Sequence, residues 1–547
     1  MADNETPWFR SWPADMPRML TYPAVALHEI LRKTAREYGE RTAISSLYGE
    51  TSYMELNELS DRFAASLASI GVAKGDRIAI YLPNILQFII AYFGVLKAGA
   101  VVTTISPLHR EREVEHQLSD SGAEIIVTLD SLYPVVVNVW AKTRLRNVII
   151  TSIEAFNPNM GKKPNAHSFQ QLLTKDADVP NIEFDPPEDL AALQYTGGTT
   201  GTAKGAMLTH RNLVANAVSF ATWIRGTAED TFLTALPLFH IYGMTTSMNV
   251  PISLAAKMVL LPRFDSGAAL VSIQRKKVTV FCGVPTMYAA LLAHPNLGDY
   301  HLTSIRVCIS GASPLPSTVQ KRFMEITGGL LLEGYGLTEA SPVTHCSPVD
   351  RTLALVRIGS IGLPLPDTGA CILDLDTGTK KLEPDETGEL AIKGPQVMKG
   401  YWRNPGETTL VLRRGWLLTG DIARMDGEGY FYISDRKKDL IKYKDFSVYP
   451  RELEDVLYEH PEVRLCAVVG KPDRIAGEIP KAFIVLKENA KVTEDEIVQF
   501  VNERVASYKQ IREVEFRREL PLSSAGKVLK RVLQEQERNK TMLSLQR

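Results

Sequence analysis

The sequence predicts an α/β protein with a large multi-subdomain N-terminal α/β domain and a small C-terminal α+β domain. Three observations predict it. Short β-rich runs alternate with helical patterns along most of the chain, several apolar runs end in glycine loops, and 547 residues at 45% hydrophobic content exceed what one core supports. The most apolar stretch, 85–102, is broken by Gln87, Gly94, Lys97 and Gly99, so it reads as a buried helix running into a strand rather than a membrane span. VTVFCG at 278–283 reads as a strand, and PTMYAALLAH at 285–294 as a helix with Pro285 in its first turn. RVCIS at 306–310 breaks at Gly311-Ala312-Ser313, and LLLEGYG at 330–336 again delivers a strand into glycines, where α/β proteins bind ligands. The charge run at 435–439 marks a boundary. After it, PRELEDVLYEHPEV suggests a helix, CAVVGKPD and KAFIVL suggest strands, and Ile497, Phe500, Val501 and Val505 fall at helical spacing. The expected division is 1–435, a hinge at 436–440, and 441–547. No solenoid period or long low-complexity tract interrupts this pattern.

Composition excludes several function classes. A net charge of −1 gives no general attraction for nucleic acid. The five cysteines, Cys282, Cys308, Cys346, Cys371 and Cys466, are scattered without metal-ligand spacing, which suits a reducing cytoplasm. The opening MADNETPWFRSW carries acidic residues and no continuous apolar core, so a secretory signal and export are not expected. Peripheral membrane contact stays open.

Residues 195–205, YTGGTTGTAKG, are built to hold phosphate. Gly197, Gly198 and Gly201 let backbone amides approach an anion closely, the hydroxyls of Thr196, Thr199, Thr200 and Thr202 can donate to it, and Lys204 adds positive charge. The Walker pattern fails, because Ala203 rather than glycine precedes Lys204. Gly526-Lys527 has Pro521 where the first glycine belongs, and Val528 follows it.

With PLFHIYG at 237–243, EGYGLTEASPVTH at 333–345, GWLLTGDIA at 415–423, YISDRKKDLIK at 432–442 and LPLSSAGK at 520–527, the chain resembles the adenylate-forming superfamily over nearly its whole length. That superfamily contains acyl-CoA synthetases, peptide synthetase adenylation domains and beetle luciferases, and the run from Glu333 to His345 is most similar to fatty acyl-CoA ligases. The resemblance implies that a carboxylate attacks the α-phosphate of ATP, expels pyrophosphate and forms an acyl-AMP, whose acyl group passes to CoA. It implies a mobile C-terminal lid hinged at Lys438. It assigns Thr338 to the α-phosphate, Glu339 to magnesium with Thr196 or Thr199 nearby, and the Gly197–Gly201 loop with Thr200 and Lys204 to the phosphates. Tyr335 packs on adenine, between Gly334 and Gly336, which let backbone groups reach the base edge. Asp421 and Arg436 take the ribose hydroxyls, and Lys527 enters the site when the lid closes for adenylation. A homodimer is a family-level expectation.

His240 is expected to abut the substrate carboxylate. Amino-acid-activating relatives place an aspartate after the corresponding phenylalanine, but here His240 follows Phe239, which disfavours an amino acid. Gly311, Ala312 and Gly336, with Ile241, Met244, Val284 and Leu337, imply a neutral apolar pocket for a fatty or aryl carboxylate. Apolar walls separate chain lengths by only about 1–3 kcal/mol per methylene, so length is not readable. The chain departs from the pattern at Asp445, where the family usually has a glycine lining the pantetheine channel, and at Ala203 and Ile511, where proline is common. Lys442 and Lys444 flank the channel segment and could meet CoA phosphates. The expected activity is fatty acid–CoA ligation. The alternatives are an aryl-CoA ligase, loading of another acceptor, a γ-phosphate-cleaving ATPase or kinase, and a binding protein without turnover.

Overall fold

The computed structural model describes residues 6–153, 165–174, 178–196, 203–444, 446–488, 490–523 and 528–545. Two large sheets organise the N-terminal part. In the first, Ala166–Ser168, Asn147–Thr151, Ile125–Leu129, Arg77–Tyr81, Val101–Thr104 and Leu190–Thr196 lie side by side in parallel, and Lys204–Thr209 closes the edge antiparallel. In the second, Leu330–Gly336, Val307–Ser310, Val280–Gly283, Thr231–Thr234, Lys257–Leu260 and Thr42–Ser46 are parallel, with short antiparallel strands at both edges.

Parallel strands buried on both faces need continuous apolar runs, and the core follows from that. Ile78 and Val102 of the first sheet share one buried cluster with Ile44, Met258 and Leu260 of the second. The helix Leu86–Lys97 lies in this shared core and is buried almost throughout, then feeds the strand Val101–Thr104. Lys97 is tolerated there because its ammonium donates to Asn57 Oδ1 at 2.7 Å and Ser60 Oγ at 2.8 Å, and pairs with Asp61 at 2.8 Å. Burial still pulls its pKa down to about 8. Among the described residues no helix is long and apolar enough to cross a membrane.

A third, antiparallel sheet follows from Gly369–Leu373, Gly388–Lys393, Leu412–Arg413, Trp416–Met425 and Phe431–Arg436. The last sheet joins Phe446–Val448, Ile441–Tyr443, Gly477–Leu486, Val463–Asp473 and Glu513–Phe516. The helices Pro450–Glu459 and Glu494–Asn502 bury Leu453, Leu457, Ile497 and Val501 against it. Its buried apolar residues form clusters of their own, separate from the N-terminal cores. The fold is therefore a large α/β domain followed by a small α+β domain. All five cysteines are free thiols, and four of them are buried.

Gly362 joins the second sheet to the third: its carbonyl accepts from Phe431 N at 3.1 Å, and Ile361 N donates to Phe431 O at 3.0 Å. It has φ +87°, and a Cβ there would lie 2.1 Å from the Cys346 carbonyl carbon. Gly359 shares the left-handed conformation, φ +82°, but a Cβ there would meet nothing within 4 Å. Gly359→Ala is thus expected to cost only backbone strain, about 1–3 kcal/mol, and Gly362→Ala clearly more. Urea unfolding of the two variants side by side checks this, and equal losses would refute the packing argument.

Candidate active site

The phosphate-loop motif is the connection of a hairpin. Its two flanks are register partners, Thr196 opposite Lys204 and Tyr195 opposite Gly205. Gly197, Gly198, Thr199, Thr200, Gly201 and Thr202 lie outside the described residues. Gly205 is closely packed, since a Cβ would stand 3.2 Å from the Tyr195 ring. That ring is fixed by its hydroxyl, which donates to Asp120 Oδ2 at 2.5 Å. Lys204 does not project free: its ammonium pairs with Glu407 Oε2 at 2.5 Å and lies 5.4 Å from the centre of the Tyr401 ring.

The strand Leu330–Gly336 carries the second motif into the same region. A Cβ on Gly334 would lie 2.9 Å from Ile309 Cγ2, and one on Gly336 only 2.2 Å from Pro342 O, so both positions need glycine for close approach. Glu333, which opens the motif, is buried and accepts from Gly359 N at 3.1 Å; burial pushes its carboxyl up to about 7. Thr338–Ala340 then make a single tight turn. Glu339 is held there by its backbone, Met398 N donating to its carbonyl at 2.8 Å, and by its side chain, which accepts from the Tyr401 hydroxyl at 2.6 Å.

Three separated motifs meet at Asp421. This carboxylate is 3% exposed and opposes Arg436 across the third sheet. The Tyr335 hydroxyl donates to its Oδ2 at 2.5 Å, and Arg436 Nε pairs with its Oδ1 at 3.0 Å. Burial and the adjacent carboxylate drive the Tyr335 phenol well above its usual pKa, so it stays a donor, and Asp421 raises the pKa of Arg436. Next in the chain, Lys437 pairs with Glu389 at 3.1 Å, and burial lowers the pKa of Lys438.

His240 caps the short helix Ile241–Met244, its Nδ1 accepting from Tyr242 N at 3.2 Å. That bond assigns the neutral tautomer with the proton on Nε2. The peptide before it is fixed by Thr104 Oγ1 and Gln194 Nε2, both donating to Phe239 O. Gly311 faces the Tyr242 ring at 3.1 Å from where a Cβ would be, and Ala312 adopts φ +69°. Apolar Ile241, Met244 and Val284 are buried beside this segment.

The structure thus gathers Tyr335, Asp421 and Arg436 into one cluster, and sets Glu339 at the Tyr401 hydroxyl and Lys204 over the Tyr401 ring. Lys442 stands apart on the small domain, donating to Ser447 Oγ at 3.2 Å. Asp445 and Lys527 lie outside the described residues; the segment holding Lys527 is flanked by a bridge between Leu522 and Val528. Sequence reasoning missed Tyr401 and Glu407. Asn404-Pro405-x-Glu407 carries a helix-start signal, and Asn404 does cap that helix, but nothing local says that Glu407 faces a lysine 203 positions away.

Residues 31–402 match the family model described as AMP-binding enzyme, and 452–527 match the AMP-binding enzyme C-terminal domain. The chain is 42% identical to a long-chain-fatty-acid–CoA ligase of Bacillus subtilis, with 98% of each chain covered. It is 35% identical to 4-coumarate–CoA ligase 3 of rice (Oryza sativa subsp. japonica), covering 97% of this chain and 95% of that one. The crystal structure of the anthranilate CoA ligase AuaEII in complex with anthranoyl-AMP superposes with a TM-score of 0.86 at 26% identity, over 96% of this chain and 98% of that one.

Burial depresses five histidines, and three of them far: His240 to about 4 and His210 and His345 to about 3. Their unfolded value is about 6.5, so the unfolded chain takes up protons first as pH falls. Stability is expected to be constant with respect to these groups above about 6.5, and to fall as pH drops from there towards 4. The slope should be about 1.4 kcal/mol per pH unit for each histidine. His345→Gln is expected to flatten the urea-midpoint profile by one histidine's share; an unchanged slope would contradict the assignment.

Proposed function

Because the chain belongs to the AMP-binding enzyme family, we propose that it activates a fatty acid with ATP and transfers the acyl group to CoA. In the first step a carboxylate oxygen bonds to the α-phosphorus as the α–β bridging bond breaks and pyrophosphate leaves. In the second the CoA sulfur bonds to the acyl carbon, AMP leaves, and the thiol proton passes to solvent. Neither step needs a protein nucleophile, so positioning and charge stabilisation do the work. The observation that carries the reading is the Tyr335–Asp421–Arg436 cluster, where one buried carboxylate and one guanidinium can hold two hydroxyls of a ribose beside an aromatic face.

In this reading adenine packs on Tyr335 between Gly334 and Gly336, Thr338 donates to the α-phosphate, and the amides of 197–201 with Lys204 receive the outer phosphates. Glu339 and Thr196 supply the hard oxygen donors that magnesium prefers. Among the described residues no group of three or more His, Cys, Asp or Glu side chains could hold a metal. A donor set this small suits an ion shared with a nucleotide. When bound, magnesium would neutralise phosphate charge. Lys527 supplies a further cation from the small domain, which turns on Lys438. His240, neutral, offers Nε2–H to the substrate carboxylate. Buried Ile241, Met244 and Val284 support an aliphatic chain over an amino acid. The identity to the rice 4-coumarate ligase supports an aryl acid as the second reading.

The test is ATP and magnesium with a panel of fatty and aryl acids, scored for pyrophosphate and, with CoA, for acyl-CoA by mass spectrometry. Acyl-CoA matched to AMP is expected; ADP, or no turnover with any acid, would overturn the proposal. Lys527→Ala is expected to slow pyrophosphate release about 100-fold or more, while thioester formation from supplied acyl-AMP persists. Asp421→Asn is expected to raise the KM for ATP about 10-fold, the worth of one hydrogen bond to a charged group. If Asp445 obstructs the channel, acyl-AMP accumulates and Asp445→Gly restores the thioester.

A further inference from the structure

The segment 398–408 belongs to none of the motifs, yet it braces both halves of the phosphate site. Met207 N donates to Gly400 O, Lys399 N to Met207 O, and Trp402 N to Gly205 O, so residues 399–402 run as an extra edge beside the strand Lys204–Thr209. One residue earlier, Met398 N donates to the carbonyl of Glu339. Tyr401 is fixed at its backbone, where its N–H donates to Thr408 Oγ1 at 2.9 Å, and it is buried at 8% exposure. From that anchored position its hydroxyl reaches Glu339 Oε1 at 2.6 Å.

The partner is informative for what it is not. Lys204 is close enough to lie over the same ring, but its charge is taken by Glu407. Among the described residues the hydrogen-bond partner of the Glu339 carboxylate is therefore a neutral hydroxyl, while Arg436 acts on it only through space. A cation there would cancel the carboxylate's charge and compete with a metal. A phenol orients one oxygen while the carboxylate keeps its charge and its second oxygen. Burial and the nearby carboxylate raise the phenol's pKa, so it is a donor at every working pH.

We propose that Tyr401 is a positioning residue for Glu339, holding its carboxylate in the orientation that receives the divalent cation of the nucleotide. The proposal rests on the reading of Glu339 as a metal ligand. It is tested away from turnover, by Mn2+ titration followed by electron paramagnetic resonance in the presence of α,β-methylene-ATP, which cannot release pyrophosphate. Tyr401→Phe keeps the ring and is expected to retain the wild-type thermal unfolding profile. It is expected to weaken Mn2+ binding about 10-fold, the usual scale for removing a hydrogen bond behind a metal ligand. Glu339→Gln is expected to weaken it at least as much, and the double variant no more than Glu339→Gln alone, because the hydroxyl acts only through that carboxylate. Wild-type Mn2+ affinity in Tyr401→Phe, with loss in Glu339→Gln, would overturn the role of Tyr401 and leave the site intact. Wild-type affinity in both would remove Glu339 from the metal and the proposal with it. Additive losses in the double variant would show that Tyr401 acts elsewhere, which also overturns it.

Discussion

A carboxylate taken out of water must be paired and hydrogen-bonded, and Asp421 meets that requirement by joining parts of the chain far apart in sequence. Its partners are Tyr335, at the end of a strand of the second sheet, and Arg436, at the end of the third sheet just before the small domain. Satisfying one buried charge therefore fixes the large sheet, the antiparallel sheet and the exit towards the small domain against each other. The same satisfaction leaves a carboxylate, a guanidinium and an aromatic ring side by side, the arrangement on which the proposed binding of a nucleoside rests.

The phosphate side follows a complementary rule. Each polar side chain is held by a partner that sets its direction: Lys204 by Glu407, Glu339 by Tyr401, Tyr195 by Asp120. Residues 398–408 supply two of these three partners while hydrogen-bonding to the strand that leaves the phosphate loop. In the proposed reading this segment carries no chemistry of its own, and its contribution is one of orientation.

Much of this was legible in the sequence where the signal is local. The runs 278–283, 306–310 and 330–336 fall on strands, and Pro285 opens a helix as its ring geometry favours. The reading of 85–102 as helix then strand agrees with the structure, because two glycines and a lysine interrupt it before a span's length is reached. Fold class and family follow from motifs in order. What was not legible is long-range: that Lys97 is neutralised by Asp61, that Tyr401 reaches Glu339, and that Glu407 faces Lys204. These pairings depend on how sheets pack, and short windows of sequence hold no record of that. His240 shows the intermediate case, since its place after Phe239 pointed to the site but its tautomer follows only from the bond with Tyr242 N.

The central claim is that the cluster around Asp421 recognises the adenosine half of an acyl adenylate. Calorimetric titration with a non-reactive analogue, a fatty acyl sulfamoyl adenosine, tests it most directly, run in parallel with the analogue lacking its ribose hydroxyls. The account predicts tight one-to-one binding of the intact analogue and a loss of about 10-fold or more without the hydroxyls. Equal affinity for the two would contradict it.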